Sequence, residues 1–90
     1  MARLDRVLKF LCVLKTRSQA ALACKEGRVE VDGRLGRPSQ EVRRGQTILL
    51  RDRLGIQETE VTILDVPDKQ LSKKDVGVYA RIAVRRGDPL

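Results

Sequence analysis

Residues 16–33 read TRSQAALACKEGRVEVDG, and this stretch decides the fold. Thr16 and Gln19 have the spacing of a capping box: the threonine hydroxyl accepts an otherwise orphaned backbone N–H while the glutamine reaches back. Gly27 suits the left-handed position just past a helix end. Val29 and Val31 alternate with Arg28, Glu30 and Asp32, which is strand periodicity. Asp32-Gly33 is a hairpin signal. The stretch therefore predicts a helix start, a short helix, a glycine stop, a strand and a tight turn. It also carries Arg17, Lys25 and Arg28, with Lys15 and Arg34 flanking it, so a rigid corner is decorated with positive charge.

Toward the N-terminus, Leu4, Val7, Leu8, Leu11 and Leu14 recur at three-to-four spacing and predict one apolar stripe on a first helix. On the helical wheel Arg6 and Lys9 fall opposite that stripe and Arg3 on its flank. Asp5 falls in the first turn, where the helix dipole favours a carboxylate. Lys15 links the two helices. On the second helix Ala20, Ala21 and Cys24 are read as one small-residue face that permits close packing. Leu22 points elsewhere, either as an exposed contact or as a cover for the C-terminal extension.

Beyond Gly33, Pro38-Ser39 supports a turn. Val42 is a core candidate, and Arg44-Gly45 reads as a tight turn. Residues 47–51 are a short apolar strand, residues 52–55 a turn, and residues 59–66 a second strand with Val61 and Ile63 on its buried side. Pro67 ends it. Ser72 and Asp75 suit a helix cap, and Gly77 weakens a long helix by about 1 kcal/mol. Val78, Ala80, Ile82 and Val84 then alternate as a strand, so a helical turn followed by a strand is expected; the rival is a single helix through Val76, Tyr79 and Ile82. Residues 85–90 are read as frayed. The outcome is an α+β domain, two N-terminal helices packed on a small twisted antiparallel sheet with a short C-terminal extension. The division is placed at residues 1–66 for the domain and 67–90 for the extension.

ARLDRVLKFL (residues 2–11) before the central stretch and RPSQEVRRGQTI (residues 37–48) after it complete a pattern. In order it runs arginine-leucine-aspartate, apolar helix, Thr-Arg helix start, glycine-X-valine-X-valine, proline-serine turn and valine-X-X-glycine. Residues 3–50 resemble the S4-type RNA-binding domain, the αL-motif fold. Two positions depart from it. Gln46 stands where the family most often has an acidic residue, and Asp32 where it usually has asparagine; a carboxylate keeps the turn but repels phosphate. The resemblance implies that Arg3, Lys15, Thr16, Arg17, Ser18, Lys25 and Arg28 line an RNA surface.

Composition agrees with that expectation. The 90 residues carry 19 Lys+Arg against 12 Asp+Glu, a net charge of +7, and a pI of about 10.1. Such a balance calls for an anionic partner or else is a merely solvated basic surface. Periodicity adds Arg6 and Lys9 to the candidate cations, and nearness to the corner adds Arg34 and Arg37. Guanidinium forks grip phosphate through two bonds, and the N-terminus of the second helix offers backbone N–H groups. Phe10 and Tyr79 are the only aromatics. That is too few for a single-strand stacking platform, so folded or double-helical RNA is the expected ligand.

Catalysis is not expected. The chain has no histidine, its carboxylates are scattered, and its glycines lack the Lys-Ser/Thr ending of a phosphate loop. Neither a cofactor nor a metal is expected: Cys12 and Cys24 are too few for a structural zinc site. Both are read as buried free thiols in a reducing compartment. No signal peptide or membrane span is evident, so a cytoplasmic home and no membrane partner are the default.

The size of the chain resembles the small bacterial heat-shock S4 proteins and their relatives in ribosome quality control, and Lys73, Lys74 and Tyr79 echo their tails. That resemblance implies a non-catalytic protein, taken as a monomer, that binds ribosomal RNA and optionally tRNA. The binding would occur on a large ribosomal subunit still carrying peptidyl-tRNA. The alternative is a general RNA-binding adaptor, or a regulatory subunit for a separate RNA-modifying enzyme.

Overall fold

The leucine stripe folds onto the sheet as α1 (Leu4–Phe10), with Leu4, Val7 and Leu8 buried and Leu11 buried just past its end. No side chain caps α1. Its first N–H groups donate instead to the proline-serine turn, Leu4 to the Gln40 carbonyl at 2.8 Å and Asp5 to the Pro38 carbonyl at 3.1 Å. Backbone from residues 38–40 thus satisfies donors that a helix start leaves orphaned, and it fixes how Arg3 and Asp5 enter the structure. The computed structural model describes residues 2–86.

The expected stripe ran on to Leu14, but α1 stops at Phe10. A continuing helix would use the Phe10 carbonyl for the Leu14 N–H. That carbonyl is taken by the Leu71 N–H at 3.1 Å, and the Val13 and Leu14 N–H groups both turn back to the Leu8 carbonyl. Cys12 adopts φ 60° in the resulting turn and is exposed, not buried in a helix as expected; Cys24 is the buried free thiol.

The second helix, α2 (Arg17–Lys25), starts as anticipated. The Gln19 N–H donates to the Thr16 hydroxyl at 3.0 Å, and the Gln19 side-chain oxygen accepts from the Lys15 N–H at 3.1 Å, one residue earlier than a capping box requires. Gly27, at φ 73°, ends it. Its buried face is Ala20, Ala23 and Cys24, with Ala21 only half-buried. Spacings of three and four from Ala20 select Ala23 and Cys24, so Ala23 replaces Ala21 in the packing face.

Asp32 (φ 51°) and Gly33 (φ 83°) make the two-residue turn between β1 (Val29–Val31) and β2 (Arg34–Leu35). The remaining strands are β3 (Thr47–Arg51), β4 (Gln57–Ile63) and, after the single helical turn α3 (Val76–Tyr79), β5 (Ala80–Arg86). All pairings are antiparallel, in the order β2-β1-β3-β4-β5. The hairpin signal at Asp32-Gly33 implies a partner for β1, and β2 is that partner, two residues long and without a buried face of its own. The second strand was expected over residues 59–66 but ends at Ile63, because the Leu64 and Asp65 N–H groups both donate to the Tyr79 carbonyl. β5 pairs with β4 from Ile63↔Ala80 to Gln57↔Arg86. Arg85 and Arg86 are therefore strand residues held by β4, not a frayed end, and the rival helix through Ile82 does not form; residues 87–90 of the expected frayed end lie outside the described residues.

Val29, Val31, Ile48, Leu50, Val61 and Ile63 bury one face of the sheet against α1 and α2. Val42 completes the core at 2% exposure, as its position suggested. Gly36 meets a need for space: a Cβ there would stand 2.7 Å from Leu4 Cδ2. The missing side chain lets the chain after β2 pass close to Leu4 at the start of α1.

Candidate nucleic-acid interface

Arg3 occupies the N-cap position of α1, and Arg17 opens α2. Their start points meet over Asp5, whose side chain is only 5% exposed. The Arg3 guanidinium donates to both Asp5 oxygens, Nε to Oδ1 and Nη2 to Oδ2, each at 3.2 Å. Arg17 Nη2 donates to the same Oδ2 at 3.5 Å. One buried carboxylate thus orients two guanidiniums whose side chains remain 41% and 43% exposed. A buried carboxylate is tolerated only when paired and hydrogen-bonded, and here two cations leave the group with surplus positive charge at its surface. The sequence reading gave Asp5 a dipole role alone. Its part as an orienter depends on α2 arriving beside α1, which no local spacing announces.

Thr16 and Ser18 flank Arg17 at the same helix start. The Thr16 hydroxyl already accepts the Gln19 N–H. The first-turn N–H groups of α2 not taken by the Thr16 cap lie at the helix start that Arg17 opens, where a helix favours an anion. Lys15, exposed, precedes them, and together with Lys9 it lines a groove beside the α1–α2 turn. Arg6 is exposed on α1 and lines a different groove with Phe10, Arg43 and Arg44. That second groove, of about 480 Å³, also holds Glu41 and Asp68. Its three arginines face two carboxylates, of which Glu41 pairs with Arg43.

Other candidates are set apart. Lys25 lies at the far end of α2, about 12 Å from Arg17 by helical rise. Arg34 is exposed in β2, and Arg37 begins the turn that caps α1. Arg28 is the most internally committed. Its Nη1 donates to the Arg51 carbonyl at 2.9 Å and its Nε to Glu26 at 3.0 Å, leaving the side chain 20% exposed. Among the described residues Arg6, Lys9, Lys15, Lys25, Arg34 and Arg37 make no ion pair.

The carboxylate at position 32 has an internal partner too. Asp32 Oδ1 accepts the Thr47 N–H at 2.9 Å and the Asp32 N–H donates to the Thr47 carbonyl, tying the hairpin turn to the start of β3. Leu22 is exposed and lines a groove with Gln19, Arg28 and Arg53, away from the C-terminal extension. No helix among the described residues is long and apolar enough to cross a membrane.

A helix pair presenting oriented, surplus arginines beside a hairpin defines a small α+β module of the RNA-binding kind. A family model described as the S4 domain matches residues 2–48, just over half the chain, and the chain belongs to the S4 domain family. It is 36% identical over 78 residues to two proteins named RQC P-site tRNA stabilizing factor, from Helicobacter pylori strains J99 and 26695. The match spans 86% of this chain and 90% of theirs. Among solved structures it resembles the trimeric Heat Shock Protein 15 of Vibrio cholerae, with a TM-score of 0.80 at 29% identity over 91% of this chain and 81% of that one. A hypothetical protein solved in solution matches with a TM-score of 0.72 at 33% identity, over 96% and 99% of the two chains.

Proposed function

We propose that this protein is a non-catalytic RNA-binding factor of ribosome quality control, working in the cytoplasm. It binds structured ribosomal RNA on the large subunit, and tRNA beside it, so that a stalled subunit carrying peptidyl-tRNA is held in one conformation. The observation that carries this reading is the pair Arg3 and Arg17 held on buried Asp5. A fork fixed in advance loses little side-chain freedom on gripping a phosphate. The names of the curated relatives supply the setting, a P-site tRNA and a quality-control pathway.

Mechanistically the protein makes and breaks no bonds. Arg3, Arg17 and the α2 N-terminus hold one stretch of backbone, and Lys15, Thr16 and Ser18 extend the contact along it. Arg6, Lys9, Lys25, Arg34 and Arg37 widen the positive field that attracts and orients RNA; Arg28 braces the end of β3 and adds its charge from a largely buried position. The domain proper is assigned to residues 1–66 and the extension to residues 67–90, and the working unit is a monomer.

Sedimentation of cell lysate through sucrose, at low and at raised salt, tests this. Comigration with the large subunit that is lost as salt rises is expected of a factor held by phosphate contacts. A position at the top of the gradient at low salt, during translational stress, would overturn the ribosomal assignment and favour an adaptor for another RNA or enzyme.

A further inference from the structure

The C-terminal extension is pinned against the end of α1. Gln70 Nε2 donates to the carbonyls of Lys9 at 3.2 Å and Phe10 at 3.4 Å. The Leu71 N–H donates to the Phe10 carbonyl at 3.1 Å, and the Cys12 thiol donates to the Leu71 carbonyl at 3.4 Å. This docking carries Lys73 to the same groove as Lys9 and Lys15. The groove measures about 400 Å³ and is lined by Lys9, Cys12, Leu14, Lys15, Gln70 and Lys73, with Val13. Lysines from three separate segments line it, no carboxylate does, and among the described residues none of the three lysines is in an ion pair. Such a concentration of uncompensated charge is costly for the isolated chain and favourable only toward an anion. Lysines act there as point charges that tolerate variable phosphate geometry, unlike the oriented fork at Arg3 and Arg17.

We propose that this groove is a second backbone site of the interface: Lys9, Lys15 and Lys73 hold a phosphate of the same RNA, continuing past the α2 start onto the C-terminal extension. The inference rests on the RNA-binding function proposed above. It makes the extension a part of the binding surface, whose position is set by the Gln70 and Leu71 hydrogen bonds.

Two measurements with a double-helical RNA hairpin test it. In the first, Lys73→Ala is compared with Lys74→Ala, whose exposed side chain does not line the groove. Lys73→Ala should weaken binding several-fold and reduce the slope of log affinity against log salt by about one, and Lys74→Ala should change neither. In the second, the exposed Cys12 in the groove wall is alkylated with iodoacetamide, with buried Cys24 as internal reference. Bound hairpin should slow Cys12 modification in the wild type. Equal effects of Lys73→Ala and Lys74→Ala, or an unprotected Cys12 in a protein that still binds hairpin, would overturn this site alone. Failure of the wild type to bind hairpin would overturn it together with the proposed function.

Discussion

At the meeting of the two helices one buried carboxylate, Asp5, holds two arginines, Arg3 and Arg17. On the outer face of the sheet the ratio is reversed: Glu30 and Glu58 hold the single Arg51, and Arg85 beside them is paired with Glu60. Both clusters are arginine-carboxylate networks, but Asp5 is buried at 5% exposure whereas Glu30, Glu58 and Glu60 are 23–38% exposed. The first keeps a surplus of positive charge directed outward, whereas the second is saturated, and its guanidinium is held more firmly in the charged form by Glu30 and then Glu58. On the function proposed here, the ratio of cations to their carboxylates, and not the number of cations, marks the surface left for a nucleic acid.

Several substitutions sharpen that contrast. Leu8, fully buried beneath the helix corner, should have the largest effect. Leu8→Ala is expected to cost about 2–5 kcal/mol in chemical denaturation, and a variant of undiminished stability would show that the corner does not depend on the leucine stripe. Asp5→Asn comes next, at about 1–2 kcal/mol, since two charge-assisted contacts are weakened at half-exposed arginines. Its RNA affinity is the sharper reading. The net charge rises by one, so simple attraction predicts tighter binding, whereas loss of the shared orienter predicts weaker binding, which is the outcome expected here.

Arg17→Ala should leave the fold intact, weaken RNA binding and reduce the salt slope by about one; unchanged affinity in a filter-binding titration would remove it from the interface. Arg51→Ala removes the same unit of charge and should leave RNA affinity unchanged, at a stability cost of about 0.5–1 kcal/mol. Equal losses of affinity in these two variants would break the comparison, because charge count alone would then explain binding. The smallest effect concerns Cys24. Burial, and then the charge of Asp5, push its thiol above the ordinary value. The folded state keeps a proton that the unfolded state releases, so this contribution to stability is complete below about pH 8.5 and declines as pH rises beyond it. In Asp5→Asn the Cys24 thiol should ionise at lower pH, followed by the pH dependence of its alkylation.

Most local signals hold where the chain answers to itself; the exceptions are Ala21, half-buried where Ala23 packs, and Gln19, whose side chain reaches Lys15 and not Thr16. The Thr16 cap, the stop at Gly27, the Asp32-Gly33 turn and the alternation of Val29 with Val31 all depend on residues within a few positions of one another. The other errors came where a distant segment intervened. The helix expected to reach Leu14 ends at Phe10 because Leu71 takes its carbonyl, and the strand expected to reach Val66 ends at Ile63 because Tyr79 takes the next two N–H groups. Cys12 was placed inside for the same reason, by a helix that does not continue. β2, two residues long with both side chains exposed, carries no alternation to detect and exists only because the turn folds it back on β1.

For the interface the division is similar. The sequence by itself determined the cations, the helix start that presents Arg17, and the excess charge that calls for an anion, because residue type and short-range spacing suffice for each. Only the tertiary structure decided which of those cations are free. It placed Asp5 under Arg3 and Arg17 and turned Arg28 inward onto Glu26 and Arg51. It also brought Lys73 to Lys9 and Lys15 across some sixty residues of chain. Whether a charge is spent internally or left for a partner depends on what lies within about 4 Å of it, and that proximity is a property of the packed chain that residue spacing does not encode.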